Sequence, residues 1–391
     1  MDTDAAKVRV GELVDGMAEE LISLSHQIHD NPELNFEEHF AHQVLTDAIA
    51  AHGHDVTRGA YGLETAFEAK VGSSGPMIAV CCEYDALPGI GHACGHNVIA
   101  TAGLGAGLAA AALANDLGGR VSILGTPAEE GGGGKVFMIE RGAFKGIDAS
   151  LMVHPAAADL TVMNTIAIHR VNVTFNGESA HAAAAPQEGR NALDAAVLAY
   201  NSVAALRQHI LPDERIHGIF TDGGQKPNIV PSSASMEWYV RSPTLASLQP
   251  LKERVVECFQ AGAMATGTTA TWEWIEPPYA DMIDNEPFLS LYAANAQTLG
   301  RTVTTPAPEN RVVGSTDMGN VSYEVPSIHP MIKVATDGSP IHTPKFAEHA
   351  RSKSGDQAVV DGAKAMAMTI VDLWTDPKAL AAVTRDFEAS T

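Results

Sequence analysis

The chain has 391 residues, 45% of them hydrophobic, which is ample for a sizeable core and favours two domains over one. Its 47 acidic residues against 25 basic ones leave a net charge of −22, a surface that disfavours nucleic acid and anionic membranes as partners. The acids are scattered without a long run, the pattern of a soluble surface.

Residues 11–29 carry apolar side chains at Leu13, Met17, Leu21, Ile22, Leu24 and Ile28, a helical period that Asn31-Pro32 should stop. Glu37 to His52 predicts a second helix ended by Gly53. Thr65 to Val71 and Met77 to Cys82 predict strands on either side of the Gly72-Ser73-Ser74-Gly75 turn. A loop from Asp85 to Gly95 leads to a helix of small residues starting at Asn97, then to a buried strand at Val121 to Leu124. The longest apolar stretch, Val98 to Leu113, falls short of the roughly 20 residues of a membrane span and is rich in Ala and Gly, so it predicts a buried helix. Strands alternating with long helices predict an α/β sheet covered on both faces.

Near residue 168 the pattern changes. Strand-like runs at His169–Phe175, Ile216–Phe220, Ala234–Arg241 and Thr269–Ile275 alternate with helices at Ala192–His209 and Leu248–Met264. The order β-α-β-β-α-β is a split βαβ unit the size of a small domain. A metal-type residue after it, His342, implies that this module (168–280) is inserted into a domain formed by 1–167 and 281–391. The N-terminal Met1-Asp2-Thr3-Asp4 lacks the basic and apolar regions of a signal peptide. Cys81, Cys82, Cys94 and Cys258 form no disulfide framework, so a reducing cytoplasm is expected.

Chemistry concentrates where apolar runs end. Cys94 and His96, two residues apart, can turn toward one cation, and Glu129-Glu130, His154 and His342 follow similar runs. Thiolate, imidazole and carboxylate suit a borderline-soft ion such as zinc. A structural zinc site has no need of adjacent glutamates. With one of the pair as ligand, the other can act as a base on water. Read singly, Cys94 is an inert buried thiol, His154 a core histidine and the glutamates a solvated pair, although four glycines after the pair make a poor setting for a charged face. His92 competes with His96 as the ligand.

These residues lie in a series of ordered motifs. The series begins with His26-Gln27-Ile28-His29-Asp30-Asn31-Pro32-Glu33-Leu34, Glu83-Tyr84-Asp85-Ala86-Leu87-Pro88 and His92-Ala93-Cys94-Gly95-His96-Asn97. It continues with Pro127-Ala128-Glu129-Glu130-Gly131, His154-Pro155, Gly177-Glu178-Ser179-Ala180-His181-Ala182 and Asn228-Ile229-Val230-Pro231, and ends with Gly314-Ser315-Thr316-Asp317-Met318-Gly319 and His342-Thr343-Pro344. In them the chain resembles the M20 metallopeptidase and amidohydrolase family, most of all the dipeptidase and p-aminobenzoyl-glutamate hydrolase subgroup.

The resemblance implies a phosphorylase/hydrolase-like α/β catalytic domain with an inserted ferredoxin-like α+β lid and dimerisation domain. It implies two divalent metal ions, with zinc favoured by the cysteine and manganese the alternative. Cys94 would bridge them, His96 and His342 would complete one, and Glu130 and His154 the other. Glu129 would be the general base and acid acting on a metal-bridging water. His181 would polarise the scissile carbonyl, often from a partner subunit, while Asn228 and Arg241 would bind a substrate carboxylate. Asp85 is read as orienting a metal-bound imidazole, with a simple turn carboxylate as the bland alternative. Much of the family has Asp where this chain has Asn97, which lowers the charge behind the site. His26 and His29 are read as helix-packing residues. The activity implied is hydrolysis of the amide bond of a small N-acyl amino acid or dipeptide, by a homodimer with no nucleic-acid or membrane partner. The alternative is a catalytically silent ligand-binding or sensing homologue.

Overall fold

A computed structural model describes residues 1–306 and 313–390. The chain begins with α1 (Thr3–Asp30), α2 (His39–Ala51), β1 (Thr57–Arg58), β2 (Phe67–Val71), β3 (Met77–Cys82), α3 (His96–Ala111) and α4 (Ala114–Leu117). Then come β4 (Arg120–Gly125), α5 (Gly134–Glu140), β5 (Ala149–Leu151), β6 (His154–Ala156) and β7 (Asn164–Thr165). The middle holds β8 (Ala167–Asn176), α6 (Ala192–Leu206), β9 (Arg215–Asp222), β10 (Ser233–Ser242), α7 (Leu245–Thr266) and β11 (Thr269–Tyr279). It closes with α8 (Glu286–Thr298), β12 (Val313–Gly314), α9 (Met318–Glu324), β13 (Ser327–Ile328), β14 (Met331–Lys333), α10 (Pro344–Ala350), α11 (Lys353–Thr375) and α12 (Pro377–Ser390). No helix among the described residues is long and apolar enough to cross a membrane.

The chain divides into two compact units, Met1–Asn164 with Met282–Thr391, and Thr165–Asp281. In the first unit six strands form a sheet in the order β1-β2-β4-β3-β5-β13. β4, β3, β5 and β13 run parallel, and β2 and β1 close one edge antiparallel. All six residues of β3 are buried, as a strand covered on both faces must be. β2 and β3 flank the Gly72–Gly75 turn but do not pair with each other, because β4 lies between them. The Gly118-Gly119 segment leading into β4 crowds that turn. Gly72 and Gly75 have φ of 101° and 89°, and a Cβ on either would collide with the carbonyl oxygens of Gly119 and Gly118.

Helix α3 is buried along its whole length and packs against α1, α11 and the sheet. Its Ala and Gly content is what lets a helix sit so close to a strand, since larger side chains would force the layers apart. Asp2 caps α1 by accepting from Ala5 N at 2.8 Å, and Ser352 caps α11.

The second unit has the strand order β11-β8-β10-β9 with antiparallel neighbours throughout, the ferredoxin-like arrangement. β8 and β10 alternate between buried and partly exposed side chains. The buried set, including Val171, Val173, Phe175, Trp238 and Val240, meets Ala199 of α6 and Phe259 of α7 in a separate core. The fold is therefore an α/β domain interrupted by an α+β module.

Candidate metal centre

The parallel strands of the first unit deliver the chemistry from their carboxyl ends, where open α/β sheets place their sites. Glu83 and Asp85 follow β3, Glu129 and Glu130 follow β4, and His154 follows β5. Cys94 and His96 come from the loop entering α3. Gly95, between them, has φ 81°, and a Cβ there would lie 2.8 Å from the Pro155 side chain, so only glycine lets this loop close on the His154 strand.

Donor atoms of Cys94, His96 and His154 lie within 4.8 Å of one another, and so do those of Cys94, Glu130 and His342. Cys94 is common to both groups. This differs from the pairing that the family resemblance suggested. His96 groups with His154, and His342 groups with Glu130, its Nε2 lying 3.2 Å from Glu130 Oε1. The reason is topological: His154 opens β6, which lies beside the Cys94 loop, with Cys94 Sγ 3.3 Å from His154 Nε2. His342 arrives on a later loop pinned to the same segment by its own backbone, His342 N donating to Ala93 O at 2.8 Å. His342 has φ 63°, a left-handed conformation that is costly for a side chain with a Cβ.

Asp85 connects the two groups. Its Oδ1 accepts from His96 Nδ1 at 2.9 Å, and its Oδ2 accepts from the Glu130 backbone N–H at 2.9 Å. His154 Nδ1 donates to Pro155 O at 2.8 Å. Both imidazoles thus direct Nε2 into the cluster, the arrangement that prepares a histidine to hold a metal. Burial works to raise the Asp85 carboxyl, but His96 and the Glu130 amide outweigh it and hold it below its ordinary value. Burial, then the neighbouring His329, lowers His154 to about 3, leaving it neutral as a ligand must be.

The donor set fits divalent cations. His96 Nε2 is buried and has no hydrogen-bond partner among the described residues, and carboxylate oxygens of Glu83, Glu129 and Glu130 stand 3.7, 3.7 and 3.9 Å away. Burial, then Glu130, pushes the Cys94 thiol well above its ordinary value, so a cation is what would make it a thiolate. Glu129 is raised well above its ordinary value by burial, then by Glu83 and Glu130. It follows Ala128, whose φ of 59° makes a sharp turn held by Gly132 and Gly133 N–H bonds to Ala128 O.

His92 is buried and belongs to none of the donor groups, with its ring 6.0 Å from that of His29. Asn97 Nδ2 donates to Ser25 Oγ and Ala350 O, tying α3 to α1 and α10. His26 meets Asp356 at 2.7 Å and His29 donates to Ala347 O at 2.9 Å, both joining α1 to the C-terminal helices.

In the second unit, His181 and Asn228 are neighbours. His181 bridges Ile229, and Ala182 N donates to Asn228 O. His181 Nδ1 accepts from Ala183 and Ala184 N–H, so its Nε2 carries the proton. Arg241 lies elsewhere. Asn176 pairs with Ser233 at one end of the β8–β10 ladder and Ile168 pairs with Arg241 near the other. At about 3.3 Å per residue, Arg241 is about 26 Å along the sheet from the end that carries His181 and Asn228.

Sequence reasoning missed a second set of buried groups. His329 follows β13 as His154 follows β5. Its ring is 5.2 Å from that of His154, and its Nε2 has no hydrogen-bond partner among the described residues. The repeated strand-His-Pro pattern, His154-Pro155 and His329-Pro330, is the signal that would have found it. Glu83 and Asp317 sat inside recognised motifs without a role, and Lys135, which pairs with both, carried no signal beyond being a lone lysine after a glycine run.

Fold and donor set together define a divalent-metal hydrolase. Residues 80–372 match the model of peptidase family M20/M25/M40. The chain is 41% identical to the Xaa-Arg dipeptidase of Mus musculus, across 99% of this chain and 93% of that one. It is 29% identical to a p-aminobenzoyl-glutamate hydrolase component of Escherichia coli (strain K12), across 94% and 92%. A dinuclear metal-binding peptidase of the M20 family from Bacillus subtilis superimposes with a TM-score of 0.69 at 19% identity, over 91% of this chain and 99% of that one. The chain belongs to peptidase family M20/M25/M40 and is a metal-dependent hydrolase of amide bonds.

Proposed function

We propose that the chain hydrolyses the amide bond of a dipeptide or small N-acyl amino acid bearing a free carboxylate. The observation that carries this reading is the position of Cys94, shared by a wholly buried donor group with His96 and His154 and a partly exposed one with Glu130 and His342, beside Glu129. Cys94 would bridge two cations, His96 with His154 holding one and Glu130 with His342 the other. Zinc is favoured by the thiol, and manganese is the alternative. Such cations supply Lewis acidity and a water nucleophile at neutral pH.

The chain's own groups do the rest. Glu129 takes a proton from the attacking water and returns it to the leaving nitrogen. Asp85 keeps His96 in the ligand tautomer. His181 presents Nε2–H to the scissile carbonyl. Arg241 matches the two oxygens of the substrate carboxylate with its planar fork, and Asn228 adds a further polar contact.

The separation along the β8–β10 ladder supports a homodimer, in which the inserted unit, Thr165–Asp281, would act as lid and dimerisation element. His181 and Asn228 stand at one end of that sheet and Arg241 near the other, a separation that two copies contributing to one site would bridge. All four cysteines are unpaired, which supports a reducing, cytoplasmic setting.

The relatives' names suggest where to look first: Xaa-Arg dipeptides and p-aminobenzoyl-glutamate, with N-acyl amino acids as the third group. Purified protein is to be assayed for bound metal and for turnover across that panel. About two divalent ions per chain are expected, with hydrolysis of one group that is lost on chelation and restored by zinc or manganese. Two bound metals with no turnover of any member would instead favour the silent ligand-binding alternative.

A further inference from the structure

Beneath the metal-type residues lies a charged cluster that the mechanism above does not use. Glu83 follows β3, Lys135 opens α5, and Asp317 immediately precedes α9. All three side chains are wholly buried. Lys135 Nζ lies 2.5 Å from Glu83 Oε1 and 2.7 Å from Asp317 Oδ1, and the Lys135 backbone N–H donates to Asp317 Oδ2 at 2.9 Å. A buried ion network of this kind is no better for stability than well-packed apolar groups, and fully buried lysine and glutamate are rare. Its orientation is more informative. Lys135 occupies one oxygen of Glu83 and leaves the other, Oε2, buried with no hydrogen-bond partner among the described residues. That oxygen faces the reaction centre, 3.7 Å from His96 Nε2, the same distance at which Glu129 Oε2 stands from that nitrogen. Donor atoms of Glu83, His96 and Glu129 all lie within 4.8 Å of one another.

We propose that Glu83 is a second carboxylate of the reaction centre, held by Lys135 so that its Oε2 orients the attacking water alongside Glu129. The proposal rests on the amide-hydrolysis reading above. A water hydrogen-bonded to two carboxylate oxygens at about 2.7–2.8 Å each spans a gap of this size with both O–H groups engaged. Its lone pair is then aimed away from the carboxylates, toward a substrate carbonyl. One O–H passes its proton to Glu129 as the C–O bond forms. The other stays bonded to Glu83 through the attack. Glu129 then gives its proton to the nitrogen as the C–N bond breaks, and Glu83 ends as it began. Lys135 is a positioning residue in this scheme, and Glu83 a catalytic one.

The test compares metal-loaded wild type, Glu83→Gln and Glu129→Gln, reading metal content, folding by circular dichroism, and kcat and KM separately on the best substrate of the panel. The expected result for Glu83→Gln is two metals, a native fold, KM within about threefold and kcat lowered by about 10- to 100-fold, the scale of a misaligned reactant. Glu83→Asp keeps the charge for Lys135 but withdraws the carboxylate by one methylene. It serves in place of the amide if that variant does not fold, with the same fall in kcat expected. A kcat within twofold of wild type overturns the proposal. Loss of one metal equivalent also overturns it, since Glu83 would then be a ligand. If Glu129→Gln is inactive while Glu83→Gln matches wild type, only this inference fails. If Glu129→Gln stays active, the hydrolytic reading itself fails.

Discussion

Glu38 accepts the backbone N–H of Ala128 on Oε1 at 2.9 Å, although the two residues are 90 positions apart. The same oxygen accepts the Phe36 N–H at 2.9 Å, and Oε2 accepts from Thr65 Oγ1 at 2.8 Å. Phe36 and Ala128 both have left-handed φ, 61° and 59°, a conformation that costs about 1–2 kcal/mol per residue with a Cβ. One buried carboxylate therefore holds two unfavourable turns, and the second leads straight into Glu129.

Glu38→Ala strands three donors, two of them buried, and a stranded buried donor costs about 1–3 kcal/mol, so a loss of about 2 kcal/mol or more is expected in urea unfolding. Glu38→Gln keeps an oxygen for the two amides and should lose much less. The pH dependence has a definite sign. Burial, then nearby Asp85, raises the Glu38 carboxyl from 4.5 to about 7, so the folded chain binds a proton that the unfolded chain has released. Stability from this group is fully present below pH 4.5 and is lost as pH rises through 7. Wild type should therefore lose ground relative to Glu38→Gln between those values. A constant gap between the two proteins across that range would show that Glu38 does not titrate there.

Asp85→Asn should weaken metal binding. An amide has one accepting oxygen, whereas Asp85 accepts from both His96 and Glu130 N–H. Removing such a partner typically costs about 10- to 100-fold in metal affinity. Competition with a chromophoric chelator measures it, and unchanged affinity would mean that the turn carboxylate reading was the right one.

Cys94→Ser should lower metal content and turnover together, because a hydroxyl is a poor ligand for a borderline-soft ion and gives up its proton reluctantly. His92→Ala should retain metal, since His92 belongs to none of the donor groups. Metal analysis of the two purified variants side by side decides between them, and equal losses would count against the grouping around Cys94.

Arg241→Ala should raise KM for substrates with a free carboxylate and do little to an amidated analogue. A charge-assisted hydrogen bond is worth about 1.5–3 kcal/mol, so a fall of about 10- to 100-fold in kcat/KM is expected for the former. Misfolding would affect both substrates alike. Equal losses would make Arg241 structural and remove the main support for a carboxylate-bearing substrate.

Much of this molecule was legible along the chain, and much was not, for a physical reason. Local patterns are written in sequence: the buried apolar run of β3, the alternation of β8 and β10, the small residues of α3, and the succession of strands and helices along the inserted module all follow from period and residue type. The candidate donors Cys94, His96, Glu130, His154 and His342 were legible too, because each ends an apolar run or falls in a recognisable motif. What sequence leaves open is which of them meet. The grouping of His96 with His154 depends on β6 lying beside the Cys94 loop, and no spacing along the chain encodes that neighbour. The strands on either side of the Gly72–Gly75 turn are legible, but the insertion of β4 between them is a property of the sheet. Lys135, Glu83 and Asp317 come from three separate segments, and their charges make sense only once folding has removed water and left Lys135 as the partner of both carboxylates. Glu38 and Ala128 were equally silent apart, since a carboxylate at a helix start and an alanine before two glutamates acquire meaning only from the 2.9 Å between them.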